Sequence, residues 1–156
     1  MFQTLFRRPK SILVIFLFTL LFSSPQIFAE GQKIDLSAYK GKVVVVDFWA
    51  SWCIPCRKSF PWLNKMQTTL KSKGLIIIGV NVDEKSSDAN NFLEKYSAKF
   101  PIIFDPQGKH AAFYKIIGMP SSLIFDREGK LVEQHVGFKE SHIKDYENTI
   151  NKILAK

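Results

Sequence analysis

Apolar runs alternate with helical spacing along most of the chain. The runs Val43–Trp49 and Leu75–Val82 are rich in β-branched residues, which is typical of strands that are covered on both faces. Apolar residues three and four positions apart predict helices over Ile54–Lys71, Ser86–Ala98 and Ser141–Leu154. We expect serines at the start of the last two helices to cap them.

The second half of the chain adds shorter elements. An extended piece at Pro101–Phe104 precedes a short helix at Lys109–Tyr114, and two strands, Ser122–Phe125 and Lys130–Gly137, flank the turn Asp126–Gly129. This order predicts one α/β domain with a central mixed sheet, parallel at first, and helices on both faces. The phenylalanines expected in its core are Phe60, Phe92, Phe104, Phe113 and Phe125.

The N-terminal segment has the order of an export signal. Arg7, Arg8 and Lys10 precede the apolar run Ile12–Phe22, and no acidic residue occurs before Glu30. The run is shorter than the ~20 residues of an ordinary membrane span. We therefore expect a signal peptide that is cleaved, and an uncleaved N-terminal membrane anchor is the alternative.

The expected organisation is a leader at residues 1–29 and one folded domain at residues 30–156, in the periplasm or at the outer face of the cytoplasmic membrane. The leader carries three basic residues and no acid, so the formal net charge falls from +8 to +5 without it. The remaining lysines are interleaved with acids and form no basic stripe. Nucleic-acid binding is therefore not expected, and the excess charge indicates solubility.

Two cysteines carry the candidate chemistry. Cys53 and Cys56 are the only cysteines of the chain, and they lie where the first strand gives way to a helix. Residues three apart share a helix face and are close enough to form a disulfide. Free N–H groups and the helix dipole favour a thiolate at Cys53, which we expect to attack a partner's disulfide. Cys56, one turn further in, is expected to resolve the mixed disulfide.

Other uses of two cysteines fit this spacing less well. A structural disulfide normally joins distant segments, because short loops stabilise least. The histidines at 110, 135 and 142 have no metal-ligand spacing, so no metal is expected. Arg57 stands where haem attachment would require a histidine. No other cofactor is expected either.

The segment around the cysteines resembles a known superfamily. Residues 45–56, Val-Val-Asp-Phe-Trp-Ala-Ser-Trp-Cys-Ile-Pro-Cys, resemble the active-site segment of the thioredoxin superfamily, and residues 34–42 resemble its exported TlpA/ResA-type branch. This resemblance, over about residues 33–138, implies a thioredoxin-like fold with an added helical segment after the second core strand. It also implies protein thiol or disulfide substrates such as apocytochrome c, and a membrane thiol transporter as the electron source. A monomer is expected.

Two acids are candidates for tuning the thiols. Asp47 interrupts the first apolar strand, so we expect a partly buried carboxyl with a raised pKa that exchanges the proton of Cys56. A matching Asp in thioredoxin supports this role, and a solvated strand end is the alternative. Glu84, after the second strand, occupies a place where the resemblance implies an acid beside the active-site cavity, and the neighbouring Asp83 is the next candidate. A solvated loop acid is the alternative there.

The resemblance also implies a substrate-docking edge. Met119–Pro120 is expected to be a cis peptide facing the cysteines, which leaves the backbone of Met119 free to pair with a substrate. Other residues expected to contact the substrate surround the attacking thiol: Trp52, Ile54 and Pro55.

Four functions use this pattern in different ways. The leading prediction is an exported thiol–disulfide oxidoreductase that reduces disulfides in cell-envelope proteins. A disulfide-introducing oxidase would run the same pair in the opposite direction, and Ile54-Pro55 does not distinguish the two. A thiol peroxidase would carry Thr where Ala50 stands. A non-enzymatic binding module with a vestigial disulfide is the fourth hypothesis.

Overall fold

A five-stranded mixed sheet forms the centre of the computed structural model, which describes residues 31–156. The strand order is β3-β2-β1-β4-β5. β1, β2 and β3 are parallel, and β4 runs antiparallel to both β1 and β5. This arrangement confirms the predicted mixed sheet that is parallel at first. The strands are β1 (Val43–Trp49), β2 (Leu75–Asn81), β3 (Ile102–Phe104), β4 (Ser121–Phe125) and β5 (Leu131–Val136).

Four helices cover the sheet: α1 (Ile54–Leu70), α2 (Ser86–Lys95), α3 (Lys109–Phe113) and α4 (Ile143–Leu154). The predicted end of α2 at Ala98 is wrong, because the side chain of Asn64 on α1 binds the backbone of the segment that follows Tyr96. The predicted serine caps are also wrong. Lys85 precedes α2 without a side-chain cap, and Ser141 lies in a 3₁₀ turn before α4.

Strand β1 supplies both halves of the core. All of its residues are buried, which confirms the prediction of a strand covered on both faces. Val43, Val45 and Trp49 face α1, α2 and α4, whereas Val44 and its alternate neighbours face the N-terminal lead-in and the segment around α3. Burial of each such aliphatic side chain stabilises the fold by about 1.5–3 kcal/mol.

Two of the predicted core phenylalanines lie outside the core. Phe60, Phe92 and Phe125 are buried, but Phe104 and Phe113 are each 45% exposed. Phe104 ends the edge strand β3, which has a neighbour on one side within the described sheet, and Phe113 ends the short helix α3. Edge positions leave part of a side chain without packing partners, so apolar character alone overestimated their burial.

The N-terminal leader expected at residues 1–29 lies outside the described residues. Within residues 31–156, no helix has both the length and the apolar character needed to cross a membrane.

Candidate active site

The two cysteines are joined in a disulfide at the start of α1. Their Cα atoms are 5.3 Å apart. Cys53 is the N-cap residue of the helix, and its Sγ accepts a hydrogen bond of 3.2 Å from the backbone N–H of Cys56. Pro55 lies in the first helical turn, where its missing N–H removes no helical hydrogen bond. An N–H group directed at Sγ favours the thiolate form of Cys53 after reduction.

The two sulfur-bearing residues differ in access. Cys56 is fully buried, while Cys53 retains 3% of its surface. The small exposed area belongs to Cys53, the residue that is expected to attack. A partner's disulfide therefore reaches the pair through Cys53 or through movement of the loop before it.

The loop before Cys53 is held by Asp83, which the sequence placed second to Glu84 as a candidate acid. The carboxylate of Asp83, after β2, accepts hydrogen bonds from the N–H and the hydroxyl of Ser51, each 2.9 Å long. The side-chain amide of Asn81 donates a third, of 2.7 Å. Trp49 and Asn81 are paired at the carboxyl ends of parallel β1 and β2. This pairing explains why Asp83, the first acid after β2, reaches the active-site loop.

Glu84 takes a different position from its neighbour. Its side chain is exposed in the loop between β2 and α2, and the described contacts of the active-site loop are made by Asp83 instead. Its proposed part in tuning the thiols stays a prediction.

Asp47 is a fully buried carboxyl in the middle of the sheet. It is 1% exposed and lies on the face of β1 that carries Val45 and Trp49. The hydroxyl of Ser122 on β4 donates to Asp47 Oδ1 at 2.6 Å. Oδ2 is buried and has no hydrogen-bond partner among the described residues. Burial raises the pKa of Asp47 from 3.8 to about 7, and the Ser122 hydrogen bond opposes part of that rise. The predicted burial is confirmed, and it is complete rather than partial.

The predicted cis peptide is present before β4. Met119–Pro120 is cis, and Pro120 is buried beside the same small cavity as Asp47. Met119 is half-buried and packs against both halves of the core.

Large apolar side chains lie exposed on both sides of these elements. Trp52 and Ile54, which flank Cys53, are each 65% exposed, and Ile117, two residues before Met119, is 87% exposed. Ile117 is not among the residues predicted from the sequence to contact a substrate, although its place just before the cis-proline loop could have suggested it. Exposed aromatic and aliphatic side chains beside a reactive thiol suit contact with a protein substrate.

These features define a class of protein. A Cys-X-X-Cys disulfide at the N-terminus of the helix that follows the central strand, with a cis-proline before β4, is the arrangement of a thioredoxin-like fold. The family model Redoxin matches residues 20–150, and the chain belongs to this family.

Known relatives agree with this class. The chain is 36% identical over 124 residues to the thiol-disulfide oxidoreductase ResA of Bacillus thuringiensis, covering 80% of this chain and 70% of that protein. It is 37% identical to ResA of Bacillus subtilis, covering 78% and 68%. A crystal structure of a putative thiol:disulfide interchange protein DsbE from Chlorobium tepidum matches with 46% identity and a TM-score of 0.75, covering 78% and 86%. The chain is therefore a thiol–disulfide oxidoreductase that acts on protein thiols.

Proposed function

We propose that the chain works as a reductant. It passes two electrons from the reduced Cys53–Cys56 pair to disulfides of cell-envelope proteins, such as the haem-binding cysteines of apocytochrome c. The cap geometry of Cys53, whose Sγ accepts a hydrogen bond from the Cys56 N–H at the helix N-terminus, supports Cys53 as the attacking residue. A thiolate stabilised there is ready to attack a substrate disulfide. The direction of electron flow is proposed from the resemblance to the TlpA/ResA-type branch.

The exchange has two chemical steps. The Cys53 thiolate attacks one sulfur of the substrate disulfide, which forms a mixed disulfide and releases the first substrate thiolate. Cys56 then gives its proton to the carboxylate of Asp47, and the new Cys56 thiolate attacks Cys53 Sγ. This second attack closes the Cys53–Cys56 disulfide and releases the second substrate thiolate. Asp47 suits this step because its raised pKa lies near neutral pH.

The substrate docks against the exposed apolar side chains and the cis-proline loop. Trp52 and Ile54 contact the chain that carries the disulfide, and the backbone of Met119 beside Pro120 pairs with it as a short strand would. The exposure of Trp52 and Ile54 supports this arrangement, because side chains of this kind are seldom left uncovered beside a reactive group without a partner. Ile117 extends the same surface.

The cellular setting follows from the leader expected at residues 1–29. The folded domain, residues 30–156, acts as a monomer outside the cytoplasm, and a membrane thiol transporter returns it to the dithiol form. The basic and apolar order of the leader supports export.

The test of the attack order is a trapping experiment. The reduced Cys56→Ser variant, incubated with a cell-envelope extract, should retain substrates as covalent adducts that a reducing agent releases, because no second thiol resolves them. Cys53→Ser is the matched control and should retain none. Adducts on Cys53→Ser rather than on Cys56→Ser would reverse the roles of the two cysteines.

A second measurement separates reductant from oxidase. The reduction potential of the pair, from equilibration with defined thiol–disulfide buffers, should lie near about −270 mV for a reductant. A value near about −120 mV would favour the disulfide-introducing oxidase instead.

A further inference from the structure

Three polar residues form a row across the sheet. Asp47 on β1 lies directly opposite Ser122 on β4, and Ser122 lies directly opposite His135 on β5. Residues opposite each other on antiparallel strands project from the same face, with Cβ atoms about 4.5–5.5 Å apart. The row therefore runs from the buried centre of the sheet to its edge strand. All three lie on the face that α1 and α4 cover.

A small cavity joins the two ends of the row. Its volume is about 10 Å³, and Asp47, Ser122 and His135 all line it. Asp47 Oδ2 and His135 Nε2 are both buried, and neither has a hydrogen-bond partner within residues 31–156. Buried polar atoms rarely stay unpaired, because desolvation without a partner is costly. A cavity of this size suits one water molecule, and the row offers that water three polar groups.

We propose that His135 is a positioning residue that carries the proton of Asp47 to solvent through one water molecule in this cavity. This rests on the proposed function, in which Asp47 takes its proton from Cys56. The Asp47 carboxyl gives the proton to the water while the water gives one to His135 Nε2. The imidazolium then releases a proton from Nδ1 to bulk solvent. One proton has moved, no electrons are transferred, and the neutral ring has changed from the Nδ1–H to the Nε2–H tautomer.

The position of His135 suits this role. The residue as a whole is only half-buried, so its ring connects the cavity to the protein surface. The ring packs edge-on against Tyr146 of α4, with centroids 5.0 Å apart, which fixes its orientation. The raised pKa of Asp47, about 7, allows proton gain and loss near neutral pH.

Few other ionisable groups face this cavity. Among the described lining residues, β1, β4 and β5 contribute Asp47, Ser122 and His135, α1 contributes the uncharged Ser59 and Trp62, and α4 contributes Tyr146. Two further ionisable groups contact the lining residues from outside the cavity. They are Glu147, which accepts from Trp62 Nε1 and pairs with Lys65, and His142, which packs on Tyr146.

The two exchange steps can be timed separately with the aromatic disulfide dithionitrobenzoate. Attack by Cys53 on the reagent releases one thionitrobenzoate, and resolution by Cys56 releases the second. We expect His135→Gln to leave the first release unchanged and to slow the second about tenfold near neutral pH. His142→Gln is the matched control, because His142 also packs on Tyr146 but does not line the cavity. It should leave both releases unchanged.

Two kinds of result would contradict these claims, one the proton relay and the other the proposed function. An unchanged second release in His135→Gln, or an equal slowing of both releases, would overturn the relay. A wild-type protein that releases only one thionitrobenzoate would instead contradict resolution by Cys56, and with it the proposed function.

A spectroscopic titration keeps the proposal testable if His135→Gln fails to fold. In the oxidised protein, the NMR signals of the His135 ring should show a step caused by ionisation of Asp47. That step should be absent in Asp47→Asn. Identical His135 titration curves in the two proteins would overturn the proposal.

Discussion

Asp47 lies on β1, and Asp83 lies just beyond the neighbouring parallel strand β2. Both acids are buried, but their carboxyl groups accept different numbers of hydrogen bonds. The Asp83 carboxylate accepts three hydrogen bonds, from the backbone and hydroxyl of Ser51 and the amide of Asn81. The Asp47 carboxyl accepts one, from Ser122, and its second oxygen faces a small cavity.

The difference separates two uses of a buried carboxyl. Donors on every side stabilise a carboxylate and tie together the segments that supply them, so Asp83 fixes the loop that leads to Cys53. A carboxyl with few donors in apolar surroundings keeps its proton to a higher pH, so Asp47 can exchange one near neutrality. One acid holds the loop before the thiol, and the other is the acid that we propose for proton exchange.

The largest expected effect concerns the pH dependence of stability. Burial raises the pKa of Asp47 from its ordinary value of 3.8 to about 7 in the folded protein. Well below about pH 4 the Asp47 carboxyl is protonated in both the folded and the unfolded protein. As pH rises to about 7, the free energy of unfolding falls by about 4 kcal/mol, because the carboxyl ionises more easily in the unfolded protein. Asp47→Asn removes this loss. Urea unfolding of the oxidised proteins should therefore show the variant gaining about 4 kcal/mol on the wild type between about pH 4 and pH 8. The same difference at both pH values would contradict a raised pKa.

Removal of the Asp83 carboxylate should lower the free energy of unfolding. Asp83→Ala leaves the Ser51 N–H, the Ser51 hydroxyl and the Asn81 amide without their acceptor. We expect a loss of about 3 kcal/mol in the free energy of unfolding, nearly constant between about pH 6 and pH 8. Glu84→Ala is the matched control, because Glu84 is the exposed neighbour, and it should change stability by less than about 0.5 kcal/mol. Equal losses of unfolding free energy in the two variants would contradict the structural role of Asp83.

Substitutions on the proposed docking surface should change substrate binding rather than stability. Trp52→Ala should raise KM for a disulfide-bonded peptide about fivefold and leave kcat and stability nearly unchanged, because the side chain is 65% exposed. Leu131→Ala is the matched control, since Leu131 is 41% exposed on the edge strand β5. A similar rise in KM for both variants would indicate nonspecific apolar contact.

The smallest expected effect concerns the hydroxyl beside Asp47. Ser122 donates to the carboxylate and lowers its pKa, so Ser122→Ala should raise that pKa further. The midpoint of the pH profile for resolution by Cys56 should move up by about half a unit. Ser121→Ala, whose hydroxyl binds the Gly118 carbonyl instead, should leave the midpoint in place. A downward shift in Ser122→Ala would reverse the assigned direction.

Local pattern was enough to predict much of this arrangement. The uninterrupted apolar run of β1 indicated a strand covered on both faces, and alternation along it placed Asp47 on the side of Val43 and Val45. The cysteine spacing and Pro55 indicated the start of a helix. These features depend on residues close together in the chain.

Features that depend on register could not be predicted in the same way. The contact of Asp83 with Ser51 requires the pairing of β1 with β2. The row that ends at His135 requires two further antiparallel registers and a bulge between Ile124 and Phe125. Apolar and polar pattern within one strand does not specify which residue of the next strand lies opposite.

The most direct test of the account is the ionisation of Asp47 itself. The carboxyl carbon of Asp47 can be followed by NMR as a function of pH in the oxidised protein, where neither cysteine titrates. We predict a midpoint near pH 7, as burial with a single hydrogen-bond donor requires. A midpoint near the ordinary value of 3.8 would contradict the proposed role of Asp47, because Asp47 would then hold no proton near neutral pH to exchange with Cys56 or His135.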